Sequence, residues 1–193
     1  MTFSFPEGLA PEIQPLAWLV GRWRGPGFVE YPDITKRAVV TEAEFDHDGG
    51  PYLSYRATTW LLDGELTSLE QRVAVEDLHA SQVWAAETGY WRATPVPADG
   101  SAASPRTFGE GACELEVLLA DPSGHVDVFV GRSQGPRINL ATDVVARTST
   151  GADITASSRI YGLVSSELFW AWDLAAFGHE LQSYASGRMQ RLA

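Results

Sequence analysis

Gly21-Arg22-Trp23-Arg24-Gly25-Pro26-Gly27 is the most informative stretch of this chain. In an extended strand successive side chains alternate between two faces, so Trp23 shares one face with the three glycines. Glycine costs backbone entropy, and a strand uses it where another backbone must pass close by. We therefore predict that Trp23 plugs the closed end of a small β-barrel. A glycine-rich turn with a buried tryptophan is the alternative that the spacing leaves open.

Length and composition predict one globular domain over residues 1–193, with 45% hydrophobic and 20% charged residues. No apolar run approaches the roughly 20 residues of a transmembrane helix, and the N-terminus lacks the basic start of a signal peptide. The single Cys113 excludes an internal disulfide, so we expect a cytoplasmic protein. A net charge of −11 argues against binding to nucleic acid or to an anionic membrane.

Strand signals dominate the chain after the opening motif. Pro11–Val20 has apolar residues at helical spacing and predicts a short helix before the motif. Roughly ten or eleven strands without intervening helices predict an all-β fold, a closed antiparallel barrel of about ten strands. A barrel of this width encloses a cavity for a mostly apolar ligand. The predicted strands that follow the motif are Arg37–Asp46, Pro51–Leu62, Glu65–Val75, Ser81–Trp91, Cys113–Leu119, His125–Val130, Arg137–Val145, Ile154–Ile160, Glu167–Asp173 and Leu181–Leu192, and Ala93–Gly111 is predicted to be a loop.

One motif resembles a hydrolase signature. Gly131-Arg132-Ser133-Gln134-Gly135 matches the Gly-x-Ser-x-Gly pattern, and Asp173 and His179 follow in the order that such enzymes use. The pattern requires a helix directly after the serine. Pro136 and the strand-like Ile138–Val145 follow instead. We therefore predict a hairpin turn here.

The histidines show no metal-site spacing, and with one cysteine they form no recognisable zinc set. We expect His47, His79 and His125 to be solvated loop residues, because each lies beside acidic or turn residues. His179 is expected in a turn ahead of the last strand, from which it could reach the mouth of a barrel. No metal site is predicted.

Glu87-Thr88-Gly89-Tyr90-Trp91-Arg92 is the second unusual stretch. Tyr90 and Trp91 point to opposite faces of a strand, so that one packs inside while the other covers the outside. Arg92 beside Glu87 indicates either an internal ion pair at a barrel end or a pair at the rim.

These motifs resemble the nitrobindin family of fatty-acid-binding-protein-like β-barrels. The resemblance rests on Gly21-x-Trp23-x-Gly25-x-Gly27, on Glu30-Tyr31-Pro32, on the Glu87–Arg92 stretch, on the Glu114–Gly131 hairpin and on the final strand Leu181–Arg191. It implies a ten-stranded antiparallel barrel that binds ferric haem b through one proximal histidine. It also implies a haem that reacts with nitric oxide and can isomerise peroxynitrite to nitrate.

The chain departs from this family at the iron ligand. Haem-binding members have a last strand that reads approximately His-Leu-x-Ala-x-Leu-x-Arg. Aligning its arginine with Arg191 puts Tyr184 in the place of the histidine, and His179 lies five residues too early. The chain therefore resembles the subgroup called ferric nitrobindin-like proteins, which lack that histidine. Tyrosinate can ligate ferric haem, but it needs a strongly lowered pKa, and no basic residue adjoins Tyr184.

The direction in which Tyr184 points is predicted from the alternation of the last strand. Tyr184 shares one face of that strand with the polar residues Gln182, Ser186 and Arg188. Parity alone points it outward, and a β-bulge would turn it inward, for which Gly187 is a candidate position.

Two functions from different classes follow from these observations. The preferred one is a binding protein that holds an apolar small molecule, fatty-acid-like or otherwise, without catalysis and without histidine-ligated haem. The other is a ferric haem b protein of the peroxynitrite isomerase type, with Tyr184 or His179 as axial ligand. We expect neither nucleic acid nor a membrane as a partner, and the chain could form a homodimer.

Overall fold

The computed structural model describes residues 6–95 and 112–192, and this part of the chain forms a barrel of ten strands. Each strand is antiparallel to the next, and the first pairs with the last, which closes the barrel. The predicted fold class is confirmed. The strands are β1 (Gly21–Tyr31), β2 (Ile34–Asp46), β3 (Tyr52–Leu62), β4 (Ala80–Pro95), β5 (Ala112–Asp121), β6 (His125–Gln134), β7 (Arg137–Arg147), β8 (Ile154–Val164), β9 (Glu167–Ala176) and β10 (Gln182–Arg191).

The predicted N-terminal helix is a short 3₁₀ helix, Pro11–Leu16, and it packs against one end of the barrel. Pro15 lies inside it and cannot donate a backbone hydrogen bond, which explains why no longer α-helix forms. Ile13 is fully buried in the same cluster as Trp23 and Phe45. Among the described residues, no helix is long and apolar enough to cross a membrane.

Trp23 closes this end of the barrel, as the sequence predicts. Its side chain is 1% exposed, and its indole Nε1 donates a 2.7 Å hydrogen bond to the carbonyl of Leu19. The guanidinium carbon of Arg191 lies 4.1 Å from the centre of the Trp23 ring. A Cβ atom at Gly25 would overlap the carbonyl oxygen of Arg188 on β10. The glycine therefore permits the close approach of the first and last strands that the motif indicated.

The predicted strand Glu65–Val75 is wrong. Residues 63–79 form an irregular connection between β3 and β4, with one 3₁₀ turn at Val75–Asp77. Arg188 donates to the carbonyls of Leu69 and Gln71, at 2.7 and 3.0 Å. Backbone acceptors of this segment are therefore bound by a side chain of β10 instead of a neighbouring strand. The predicted loop Ala93–Gly111 begins later than expected, because β4 continues to Pro95; its remaining residues lie outside the described part.

Two further predictions are confirmed. The Gly-x-Ser-x-Gly match is a hairpin turn, because β6 ends at Gln134, Gly135 has a φ of 55°, and β7 begins at Arg137. In β4, Trp91 is fully buried whereas Tyr90 is 53% exposed. The barrel thus has one end closed by Trp23 and the 3₁₀ helix, and its opposite end is open.

Candidate functional site

The open end of the barrel forms a cavity of about 320 Å³, here called the mouth. It lies where β1, β5 and β9 end and where β2, β4, β6, β8 and β10 begin. Its wall combines aromatic and aliphatic side chains with a few polar groups. The described residues that line it are Tyr31, Ile34, Val83, Trp84, Ala85, Ala86, Asp121, Pro122, Ser123, His125, Ala152, Ile154, Trp172, Leu174, Phe177 and Tyr184.

Tyr184 faces inward and forms part of this wall. The register between β10 and β9 shifts between Ser183 and Ala185, so β10 carries one extra residue at this point. The bulge turns Tyr184 inward, although the alternation of polar residues points it outward. The bulge is not at Gly187, which pairs regularly with Trp170.

The ring of Tyr184 is held by three aromatic neighbours. The indole Nε1 of Trp84 donates a 2.7 Å hydrogen bond to the Tyr184 hydroxyl. The rings of Trp172 and Tyr31 pack edge-to-face against it, with centroids 5.0 and 5.9 Å away. This arrangement is typical of aromatic pairs that stabilise a fixed ring orientation.

The phenol of Tyr184 is neutral at ordinary pH. Burial raises its pKa above the usual value of 10.0, and the carboxylate of Asp121 acts in the same direction. The hydrogen bond from Trp84 opposes this increase without cancelling it. The local environment therefore disfavours the tyrosinate that iron ligation requires.

His179 lies in the turn after β9 and is not among the described residues that line the mouth. Its Nε2 atom is 3.4 Å from the Asp33 carboxylate. Its ring packs edge-to-face on Tyr31, with centroids 5.6 Å apart, behind the wall that Tyr31 forms. The ring of Tyr31 thus lies between His179 and Tyr184.

His125 differs from its prediction, because it is buried and not solvated. Its Nδ1 atom is 2.9 Å from the Ser123 hydroxyl, and its Nε2 atom is 3.4 Å from the Asp127 carboxylate. The bond with Asp127 raises the pKa of His125, and burial opposes this effect. The alternation along β6 could have indicated that His125 is buried, because Val126 and Val130 face outward while Asp127, on the same face as His125, is buried. His47 and His79 lie in loops, as predicted; His79 is exposed, whereas His47 is only partly exposed and its Nδ1 atom is buried.

Behind the mouth lies a smaller space of about 50 Å³, here called the inner chamber. Trp84, Trp172 and Tyr184 line both spaces. Fifty cubic ångströms suffices for a few water molecules but is far below the volume of a typical ligand pocket. The mouth is therefore the larger of these two adjacent spaces.

The inner chamber has a charged pair in its wall, Arg159 and Glu87. Two hydrogen bonds of 2.7 Å join the guanidinium to the carboxylate, and the Tyr55 hydroxyl donates to the same carboxylate at 2.6 Å. Burial acts to raise the pKa of Glu87, but the Arg159 charge outweighs it, so the pKa lies below its usual value. Neither predicted Glu87–Arg92 pair, internal or at the rim, forms, because Glu87 is bound to Arg159 while Arg92 faces outward and pairs with Glu116 at 2.7 Å.

Comparisons with known proteins agree with this architecture. The family described as "THAP4-like, heme-binding beta-barrel domain" matches residues 12–191. A "Ferric nitrobindin-like protein" of Beutenbergia cavernae is 59% identical over 100% of both chains. A "Peroxynitrite isomerase" of Leifsonia xyli subsp. xyli is 38% identical over 97% of this chain and 98% of its own. The crystal structure of Rv2717c from M. tuberculosis has a TM-score of 0.69 at 29% identity, covering 96% of this chain and 99% of that one.

The described residues of the mouth do not fit a haem b held through a protein nitrogen. Both ring nitrogens of His125 face the side chains of Ser123 and Asp127. Among the described lining residues there is also no lysine or arginine to meet the two propionates of haem b, whereas Asp121 adds a negative charge. Within residues 6–95 and 112–192, no three histidine, cysteine or acidic side chains are grouped as metal ligands.

Proposed function

Since the chain belongs to the THAP4-like, heme-binding β-barrel domain family, we propose that it uses the open mouth of this barrel to bind an apolar, aromatic-sized small molecule without ligating iron. The single observation that carries this proposal is the mouth itself, a cavity of about 320 Å³ with an aromatic and aliphatic wall. A volume of this size is at the lower end of the usual range for small-molecule sites.

The orientation of the wall residues supports the proposal. Tyr184 and Trp84 bond to each other, and Trp172 packs against the Tyr184 ring. These rings are therefore fixed before a ligand arrives, which reduces the entropy that binding must overcome.

The proposed function does not include the activity of the relatives named "Peroxynitrite isomerase". The resemblance described above implies that Tyr184 stands where haem-binding relatives carry their iron ligand, and its phenol is neutral and already accepts a hydrogen bond from Trp84. His179 lies behind Tyr31. The family description names haem without its type, and the binding function proposed here does not require haem.

Binding of the neutral apolar dye Nile red tests this function. We expect dye fluorescence to rise on titration into the purified protein and to saturate at one equivalent. Ala152→Trp narrows the mouth because Ala152 lies in its wall, so it should weaken dye binding by about tenfold or more, a change of about 1.4 kcal/mol.

Ala120→Trp provides the matched control. Ala120 is exposed on β5 and is not among the described lining residues of the mouth, so this variant should bind the dye like the wild type. Equal binding by both variants would locate the dye elsewhere and would contradict the proposed function.

A further inference from the structure

We propose that the ligand of the mouth combines its apolar aromatic surface with a cationic group, as in a quaternary or protonated aromatic amine, and that the aromatic wall and the Asp121 carboxylate together recognise it. This inference rests on the proposed function, since it names the chemical class of ligand that the same mouth takes.

The aromatic wall is the first observation behind this inference. Tyr31, Trp84, Trp172, Phe177 and Tyr184 line the mouth on several sides. The face of an aromatic ring attracts a cation electrostatically, and cages of several rings recognise quaternary ammonium groups. Aliphatic side chains would bind a purely apolar ligand equally well, but they would not attract a cation.

The charge of the mouth is the second observation. Asp121 is the one carboxylate among the described lining residues, and these residues include no lysine or arginine. His125 faces Asp127 at 3.4 Å, so any positive charge on its ring is compensated. The mouth is therefore acidic, in a chain whose net charge is −11. An anionic ligand would meet repulsion here, whereas a cation would be attracted over several ångströms.

Asp121 and the aromatic wall line the same cavity. Asp121 ends β5 at the mouth, and its carboxylate contributes to the raised pKa of the Tyr184 phenol. One of its oxygens accepts a 2.6 Å hydrogen bond from the Ser123 backbone, which fixes the side chain in the turn. A cation against the Tyr184 and Trp84 rings would thus also interact with this carboxylate.

The same wall already binds a cation on its inner side. The guanidinium carbon of Arg159 lies 4.2 Å from the centre of the Trp172 ring. Arg159 is neutralised by Glu87, and this pair lines the inner chamber and not the mouth. The mouth offers a ligand cation the same kind of contact, with Asp121 as the counter-charge.

Two probes of the same shape separate charge from apolar contact. (3-Hydroxyphenyl)trimethylammonium carries a positively charged quaternary nitrogen. In 3-tert-butylphenol a neutral carbon atom takes the place of that nitrogen. Their dissociation constants are measured by displacement of Nile red and by shifts of the indole N–H signals in ¹⁵N-labelled protein. We expect the cation to bind about tenfold more tightly at low salt, and its advantage to shrink as salt is added.

Asp121→Asn tests the counter-charge, because asparagine keeps the oxygen that accepts the Ser123 N–H. It should reduce cation affinity by about three- to tenfold and leave the affinity for 3-tert-butylphenol unchanged. Asp143→Asn makes the same change in net charge at an exposed position that is not among the described lining residues, and it should leave both affinities unchanged.

The outcomes distinguish this inference from the function on which it rests. Equal or tighter binding of 3-tert-butylphenol, with no effect of Asp121→Asn, would overturn the cation preference while leaving the mouth as an apolar site. Binding of neither probe, together with no saturable Nile red binding, would overturn both.

Discussion

The indole of Trp84 donates a 2.7 Å hydrogen bond to the hydroxyl of Tyr184, a residue 100 positions later in the chain. Both side chains border the mouth and the inner chamber, so this contact separates the two spaces. It also occupies the phenol oxygen at the position where haem-binding relatives are expected to carry their iron ligand. The same contact thus shapes the proposed binding site and disfavours iron ligation by Tyr184.

Replacement of Trp23 tests the closed end of the barrel. Trp23→Ala should reduce the free energy of unfolding by about 3–5 kcal/mol, because it removes a fully buried ring and leaves a cavity. Urea denaturation measures this loss, and Trp23→Phe should cost less because it keeps most of the volume. A loss below about 1 kcal/mol would show that Trp23 does not close the barrel, since changes of that size are typical of surface sites.

Removal of Arg159 tests the buried pair of the inner chamber. Arg159→Met leaves the Glu87 carboxylate buried without its main partner and should cost about 3–5 kcal/mol at neutral pH. The double variant Arg159→Met/Glu87→Gln should recover much of this loss, because the buried charge is then absent. Urea unfolding of both variants and of the wild type gives the comparison, and a double variant no more stable than the single one would contradict this account.

The Arg159–Glu87 pair also predicts how the stability of the protein changes at acid pH. The pKa of Glu87 is lowered in the folded state from its ordinary 4.5, so its stabilising contribution is complete above that value. It is lost as the pH falls through the lower folded pKa. In Arg159→Met, burial raises the pKa of Glu87 because the Arg159 charge no longer opposes it. The difference in unfolding free energy between this variant and the wild type should therefore shrink as the pH falls.

His125 gives the opposite pH dependence. Its pKa is raised in the folded state from the ordinary 6.5, chiefly by Asp127, so its contribution is complete below pH 6.5 and is lost as the pH rises through the folded pKa. Asp127→Asn should lower the pKa of His125 and remove this dependence. NMR titration of the imidazole measures the change, with the exposed His79 as internal control. An unchanged His125 titration in the variant would rule out Asp127 as the cause.

Alternation and glycine spacing sufficed to predict the barrel and its closed end. Trp23 and Gly25 could be placed from the motif alone, because period-two alternation and close strand approach are local properties. The Arg159–Glu87 pair could not be predicted, because its members are 72 residues apart and meet only when β4 and β8 line one interior. The Tyr184 bulge is likewise a consequence of how β10 pairs with β9, and no residue type in the strand indicates it.

Tyr184→His tests the alignment of the last strand. An imidazole needs no large pKa shift to ligate ferric iron, so this variant should bind haemin more tightly than the wild type and show a sharp Soret band of histidine ligation. His179→Ala should change little in either background, because His179 lies behind Tyr31. A spectrum of Tyr184→His identical to that of the wild type would mean that Tyr184 does not occupy the position of the iron ligand.

The visible spectrum of the wild-type protein with added haemin tests the central claim most directly, namely that the mouth serves a ligand without ligation of iron by the protein. Titration should give weak binding, without the band shape of an axial ligand from the protein, and Tyr184→Phe should leave the spectrum unchanged. Stoichiometric haem in the wild type that is lost in Tyr184→Phe or in His179→Ala would contradict the claim and establish a haem protein.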